Sequence, residues 1–213
     1  MIKVAPSILS ADFAAMGQAV ENLEKWGADY VHCDVMDGRF VPNITFGMPM
    51  IKAIRKHTSL PLDVHLMIVN PEDYIEKFID AGADIITFHP DSTNKTAECL
   101  ATVKNAGLKC GLVLNPDKPL SMLTDYLDIV DEVIVMGVYA GFGGQKFLPQ
   151  TLDKISQLKK LAKGKNLLIE MDGGATCENA RSIENAGADI LVAGSAVFGA
   201  ENPAEAIRIL GGK

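Results

Sequence analysis

The sequence predicts an α/β protein folded as a single (β/α)8 TIM barrel that spans residues 1–213. Short apolar segments of strand character alternate with longer segments of helical periodicity, and this alternation occurs eight times. The tripeptide Gly-Ala-Asp recurs at 27–29, 82–84 and 187–189, each time between a predicted helix and the next predicted strand. Glycine at this joint suits the left-handed conformation that ends many helices. Eight such units favour a closed barrel at the small end of its usual size, and a doubly wound open sheet is the alternative.

The individual elements follow from apolar periodicity and from capping residues. Ser10 and Asp12 suit the N-terminus of the first helix, and Asn70-Pro71 suits a capped helix with proline at its first position. We expect strands at residues 4–8, 30–35, 62–67, 85–88, 108–114, 132–136, 166–171 and 190–193. We expect helices at residues 13–26, 50–56, 71–81, 95–106, 120–127, 152–162, 177–186 and 204–210.

Composition excludes several classes of protein. No run of 18 or more apolar residues occurs, so no membrane-spanning helix is expected, and the N-terminus lacks the pattern of a signal peptide. The formal net charge of −7 argues against nucleic acid as a partner. Four scattered cysteines without a Cys-x-x-Cys pair argue against disulfides and thiolate metal sites, and they favour the reducing cytoplasm.

Residues 30–38 are the segment around which the candidate site is organised. Strand side chains alternate between two faces, so His32, Asp34 and Met36 share one face while Cys33 points to the other, toward the helices. Burying an imidazole and a carboxylate without partners costs several kcal/mol. Their placement side by side therefore indicates a metal site or a proton-transfer site.

Further polar groups are expected at the same end of the barrel, where TIM-barrel enzymes place their active sites. His65 lies near the end of the third predicted strand and Asp172 at the tip of the seventh. With His32 and Asp34 they form a nitrogen and oxygen donor set suited to Zn, Mn, Fe or Co. The alternative is that each is a hydrogen-bonded core residue. Glu170 should face inward one layer below Asp172, either as a partner of these groups or turned aside by a bulge.

Three methionines also fall near strand ends. Met36, Met67 and Met136 are either ordinary core fillers or a water-poor rim around the reacting carbon atoms.

Glycine-rich segments follow the last three predicted strands. Glycine lets backbone N–H groups approach an anion closely, and phosphate sites in barrels often use the late loops. A short helical turn after Gly194 would add its N-terminal dipole. Plain tight turns are the alternative. The candidate phosphate-binding residues are Gly141, Phe142, Gly143 and Gly144, then Gly173 and Gly174, and finally Gly194 and Ser195.

A metal ion, two carboxylates and a phosphate-binding site together suit an enzyme that abstracts a proton from the carbon next to a carbonyl group. The metal polarises the carbonyl oxygen, and one aspartate on each face of a planar intermediate permits inversion at carbon. No nucleotide-binding fingerprint occurs, so nicotinamide redox chemistry is not needed.

The chain resembles the ribulose-phosphate 3-epimerase family almost end to end. The motifs that carry this resemblance are residues 6–13 (PSILSADF), 32–38 (HCDVMDG), 40–43 (FVPN), 63–67 (DVHLM), 141–145 (GFGGQ), 172–174 (DGG) and 194–198 (GSAVF).

The resemblance implies an oligomeric barrel, a dimer or hexamer, that interconverts D-ribulose 5-phosphate and D-xylulose 5-phosphate through a cis-enediolate. It implies one divalent metal ion held by His32, Asp34, His65 and Asp172. It also implies that Asp34 and Asp172 are the acid/base pair, and that Ser7, His65, Asp172 and the glycine loops contact substrate.

Two segments depart from the family pattern. Tyr139-Ala140 stands where the family usually has Asn-Pro, and His89-Pro90 is closer to the related allulose-6-phosphate 3-epimerases. Both lie where they affect the fit to sugar length, so D-allulose 6-phosphate is the alternative substrate. Two other classes are a metal-assisted lyase or hydrolase, which would need a group such as a Schiff-base lysine, and a non-catalytic sugar-phosphate-binding barrel.

Overall fold

The strands form one parallel sheet that closes into a barrel. The computed structural model describes residues 1–212, and within them the strand order is β1-β8-β7-β6-β5-β4-β3-β2. An isolated parallel bridge between Ser7 and His32 joins the two ends of this order. The (β/α)8 fold class is confirmed. The strands are β1 Lys3–Pro6, β2 Val31–Met36, β3 Leu62–Met67, β4 Ile85–Phe88, β5 Lys109–Leu114, β6 Glu132–Met136, β7 Leu168–Asp172 and β8 Ile190–Ala193.

Helices cover the outside of the sheet. Within residues 1–212, none is long and apolar enough to cross a membrane. The helices are α1 Met16–Trp26, α2 Met48–Ile54, α3 Ile75–Ala81, α4 Thr96–Asn105, α5 Thr151–Leu161, α6 Ala180–Ala186, α7 Ser195–Phe198 and α8 Pro203–Leu210.

The predicted helix at 120–127 is wrong. The segment forms two 3₁₀ turns, Leu120–Met122 and Thr124–Tyr126. Its serine, threonine and aspartate side chains compete with the backbone for hydrogen bonds, and Thr124 Oγ1 donates to the carbonyl oxygen of Ser121 at 3.0 Å. The predicted helices at 13–26 and 71–81 likewise begin with 3₁₀ turns. Asn70 makes no capping hydrogen bond with its side chain.

The repeated Gly-Ala-Asp joints are confirmed as helix ends. Gly27, Gly82 and Gly187 adopt left-handed φ values of 83°, 102° and 113°. The aspartates have a role that the periodicity did not reveal, because each accepts a backbone N–H from the preceding strand. These bonds are Val4 N to Asp29, Leu62 N to Asp84 and Ile169 N to Asp189, at 2.8 to 3.0 Å. Each joint therefore holds two adjacent strands in register at the amino-terminal end of the barrel.

Side-chain alternation along β2 is as predicted. Val31, Cys33 and Val35 belong to the apolar layer between sheet and helices. His32 and Asp34 point into the barrel, where both are buried. Along β2 the fold therefore places the polar side chains inside the barrel and the apolar ones in the layer beneath the helices.

We predict that a side chain at Gly137, which follows β6, destabilises the fold. Its N–H donates to the Asp172 carbonyl oxygen at 2.6 Å, and a Cβ here would overlap the Gly173 carbonyl oxygen. Overpacking costs about 1–3 kcal/mol, so Gly137→Ala should lower the melting temperature by roughly 2–12 °C. Gly47→Ala is the matched control, because no atom lies within 4 Å of its Cβ position. Equal melting temperatures for the two variants would contradict this packing argument.

Candidate metal centre and active-site cavity

Four polar side chains from three strands converge at the carboxyl end of the barrel. Asp34 Oδ1 lies 3.4 Å from His32 Nε2 and 3.4 Å from His65 Nδ1. Asp172 Oδ2 lies 3.8 Å from His32 Nε2 and 3.5 Å from His65 Nδ1. All four residues are buried. The structure therefore brings together the four side chains that the sequence singled out.

These side chains fit a metal ion. Bonds of 2.0–2.2 Å in a tetrahedron give ligand separations of about 3.3–3.6 Å, close to those found here. His32 Nε2 and His65 Nδ1 have no hydrogen-bond partner although both atoms are buried. Two unpaired nitrogen lone pairs facing two carboxylate oxygens form a mixed donor set suited to a divalent cation.

The electric field at this point favours positive charge. Burial lowers the pKa of the His32 imidazole, but Asp63 and Asp34 outweigh burial and raise this pKa well above its ordinary value. Burial also opposes ionisation of Asp34, yet His32 and His65 hold the pKa of its carboxyl well below the usual range. The same field that would favour a proton on an imidazole also favours a metal cation between the four groups.

The Nδ1 atom of His32, which faces away from this cluster, is held by carboxylates. It lies 2.6 Å from Asp63 Oδ2 and 3.1 Å from Glu170 Oε1. Such partners fix the ring orientation and leave Nε2 free to bind a metal. Glu170, whose direction the sequence left open, therefore faces inward. Asp63 could have been found from the strand pattern, since it shares a face with His65.

The far nitrogen of His65 meets another histidine. His65 Nε2 and His89 Nε2 are 3.0 Å apart, and both rings are buried. Burial, together with His65 and Lys118, holds the pKa of His89 well below its ordinary value, so this imidazole is neutral. The ring of Phe40 covers His89, with 4.8 Å between the ring centroids.

A cavity of about 480 Å³ opens above the cluster. Ser7, at its floor, donates from Oγ to Asp34 Oδ2 at 2.5 Å. His32 and His65 lie beneath the surface of this cavity, whereas the other predicted site residues line it. Those lining residues are Ser7, Asp34, Met36, Met67, Met136, Gly141, Phe142, Gly143, Gly144, Asp172, Gly173, Gly174, Gly194 and Ser195.

Several polar residues in the cavity, among them Ser10 and Asn179, were not identified as site residues from the sequence. Ser10 Oγ lies so close to Gly194 that a Cβ there would overlap it, and Ser10 also approaches Gly143. Asn179 lines the cavity and donates from Nδ2 to the Gly174 carbonyl oxygen at 2.9 Å. Nothing in the local sequence distinguishes either residue from an ordinary capping residue, because only the fold brings these loops together.

The fold and the cluster together define a TIM barrel with a candidate metal centre at the mouth. Among solved structures, 3-hexulose-6-phosphate synthase from Salmonella typhimurium superposes with a TM-score of 0.73 at 20% identity, over 99% of this chain and 97% of that one. The tryptophan synthase A-subunit from Pyrococcus furiosus gives 0.73 at 15% identity, over 100% and 98%. At such low identity these likenesses concern the fold alone.

Sequence relatives are much closer. The model of the ribulose-phosphate 3 epimerase family matches residues 3–198. Ribulose-phosphate 3-epimerase of Bacillus subtilis (strain 168) is 51% identical over 210 residues, which cover 97% of each chain. The chloroplastic ribulose-5-phosphate-3-epimerase of Arabidopsis thaliana is 53% identical over 211 residues, which cover 97% of this chain and 75% of that protein. The chain belongs to the ribulose-phosphate 3-epimerase family.

A buried acid below the cluster has no local compensation. Neither carboxylate oxygen of Glu132 has a hydrogen-bond partner. Burial, Glu170 and Asp63 raise the pKa of Glu132 well above its ordinary value. Burial and Asp63 also raise the pKa of Glu170, to about 7. Because these pKa values are raised in the folded state, the two acids favour folding most when they are protonated, and their contribution to the free energy of unfolding falls as the pH rises from the ordinary carboxyl range through the folded pKa values.

We therefore predict that Glu132→Gln makes stability less dependent on pH. The melting temperature of the variant, relative to that of the parent, should rise from pH 5 to pH 8. Each unit of pKa shift corresponds to about 1.4 kcal/mol of unfolding free energy. Thermal melts at the two pH values test this. Glu76→Gln, on the exposed surface of α3, should show the same difference from the parent at both. A parallel pH response of the Glu132→Gln variant and the parent would refute the assignment.

Proposed function

We propose that the chain is a metal-dependent 3-epimerase that interconverts D-ribulose 5-phosphate and D-xylulose 5-phosphate through a cis-enediolate. The observation that carries this proposal is the pair of buried carboxylates, Asp34 from β2 and Asp172 from β7, at the floor of one cavity. The relatives at about half identity are named for this same activity. The barrel of residues 1–213 would then be one catalytic domain.

A single divalent ion, Zn, Fe, Mn or Co, would be held by His32, Asp34, His65 and Asp172. The unpaired nitrogen atoms of the two histidines and the ligand separations support this assignment. When bound, such an ion supplies positive charge that stabilises the negative charge developing on the substrate oxygen atoms.

Asp34 and Asp172 would transfer the proton at C3. Asp34 would begin as the base, since its buried carboxyl lies at the floor of the cavity where the reacting carbon would sit. The hydrogen bond from Ser7 orients Asp34. Asp172, at the tip of β7, would return a proton to the other face. The two roles exchange in the reverse reaction, because the forward acid is the reverse base.

The remainder of the cavity would position the sugar phosphate. Met36, Met67 and Met136 give an apolar lining that would exclude water from the reacting carbon atoms. Ser7 would contact the sugar, whereas His65, also predicted from the sequence to contact it, lies beneath the cavity surface. The loops with Gly141, Phe142, Gly143, Gly144, Gly173, Gly174, Gly194 and Ser195 would offer backbone N–H groups to the phosphate, and α7 begins at Ser195.

We also propose a cytoplasmic homo-oligomer, a dimer or hexamer, with no nucleic-acid partner. The net charge of −7 opposes binding to nucleic acid. Free thiols at all four cysteines suit a reducing compartment. Phe13, Ile44 and Phe142 are 41%, 76% and 53% exposed. Phe13 and Ile44 lie in segments that follow strand ends at the rim of the barrel mouth, which supports contact of that rim with another copy, whereas Phe142 lines the substrate cavity.

We predict that Asp34→Asn and Asp172→Asn each reduce epimerase turnover by at least about 10⁴-fold, since each removes one partner of a two-base mechanism. Exchange of the C3 hydrogen with deuterium in the solvent, followed by NMR, measures the two half-reactions directly. Circular dichroism and melting temperature should show that both variants remain folded. Asp153→Asn, on the outer helix α5, should retain parental turnover. Ordinary turnover in either active-site variant would eliminate the two-base mechanism.

We predict a kcat/KM at least about tenfold higher for D-ribulose 5-phosphate than for D-allulose 6-phosphate, because the relatives at about half identity are named for the pentose phosphate and one carbon more or less in a fitted pocket changes kcat/KM by about 10–200-fold. D-allulose 6-phosphate is the second candidate because Tyr139 and Ala140 line the cavity and depart from the family pattern. The reverse ranking would assign the hexose. Tight binding without C3 exchange would instead identify a sugar-phosphate-binding protein, and a cleaved product in the NMR spectrum would identify a lyase or hydrolase.

A further inference from the structure

His89 stands directly behind one of the candidate metal ligands. It follows β4, and its Nε2 lies 3.0 Å from His65 Nε2. Its backbone is extended, with φ −79° and ψ 127°, as favoured before a proline. Ser92 donates to the His89 carbonyl oxygen from both its backbone N–H and its Oγ. The chain therefore fixes the position of this ring through its backbone as well as through its packing.

A metal on His65 would determine where the protons lie in this pair. A neutral imidazole carries one N–H and one acceptor nitrogen. Binding through Nδ1 requires that the His65 proton sit on Nε2, which faces His89. The Nε2 of His89 must then accept this proton in a hydrogen bond, because two N–H groups pointed at each other across 3.0 Å would repel.

We propose that His89 is a positioning residue for the metal centre, acting as the neutral hydrogen-bond acceptor that holds His65 in the tautomer and orientation required to bind a divalent cation. This inference rests on the proposed metal site. His89 is not itself one of the four candidate ligands. Its ring contacts His65 rather than the proposed position of the ion.

A neutral acceptor suits the charge balance of the site. Behind His32 stand the carboxyl groups of Asp63 and Glu170, and the cluster itself contains Asp34 and Asp172. A further carboxylate behind His65 would add negative charge to an interior already crowded with acids, with a large desolvation cost. The ring of His89 supplies the hydrogen bond without that charge.

The test is the affinity of metal-free protein for Zn²⁺, titrated in competition with a chromophoric chelator. His89→Leu removes the acceptor and should weaken Zn²⁺ binding by about 10–100-fold, as found for partners of metal-binding histidines. His89→Gln offers an amide oxygen at a similar reach and should recover most of the affinity. Asn is too short to reach His65, so His89→Asn should resemble His89→Leu. Melting temperatures of the same samples report folding separately.

Thr87→Val is the matched control. Thr87 is two residues earlier on β4, is equally buried, and its Oγ1 has no hydrogen-bond partner. This variant should bind Zn²⁺ as the parent does. If the His89→Leu protein does not fold, the comparison of His89→Gln with His89→Asn decides the matter.

The outcomes separate this inference from the proposed function. A parent that binds no Zn²⁺, Mn²⁺ or Co²⁺ overturns both. A parent that binds Zn²⁺, with His89→Leu binding equally well, overturns only the role of His89. Equal weakening in the Gln and Leu variants would also overturn it, because the amide preserves an acceptor that the leucine lacks.

Discussion

The burial of two imidazoles and two carboxylates around one point is the constraint on which the rest of this structure depends. His32 Nε2 and His65 Nδ1 are shielded from water and have no protein hydrogen-bond partner. Unpaired polar atoms of this kind are costly. A shared cation would satisfy both nitrogen atoms and both carboxylates at once, which explains why the chain keeps all four groups in a water-poor site.

Other buried side chains inside the barrel contact the two histidines of this cluster. Asp63 hydrogen-bonds the inner nitrogen of His32 and Glu170 lies 3.1 Å from it, whereas His89 meets the inner nitrogen of His65. Below them, Glu132 is buried with its carboxyl unpaired and its pKa raised. These buried polar groups thus lower the stability of the fold but fix the orientation of the side chains at the site. The apolar layer between sheet and helices provides the compensating stability, since the large buried aliphatic side chains are concentrated there.

The open side of the site has a different chemistry. Methionines and glycine loops line a cavity whose floor is formed by the two candidate acid/base groups. Glycine keeps side chains out of the space where loops from β6, β7 and β8 approach one another, and Gly137 shows how tight this approach is. Under the proposed function, the loops would offer backbone N–H groups to an anion, and the thioethers would exclude water from the adjacent carbon atoms.

Much of the fold and of the candidate site could be predicted from the sequence alone. The period of two along a strand placed His32 and Asp34 on one face, and the recurring Gly-Ala-Asp joints indicated repeated units, because both are local properties of the backbone. The helix expected at 120–127 failed for an equally local reason, since its polar side chains compete for backbone hydrogen bonds. Only the tertiary structure decided that Ser10 meets Gly194, that His89 meets His65 and that Glu132 has no partner. These relations join different strands and loops, and the closure of the barrel, rather than the pattern along any one segment, sets the distances between them.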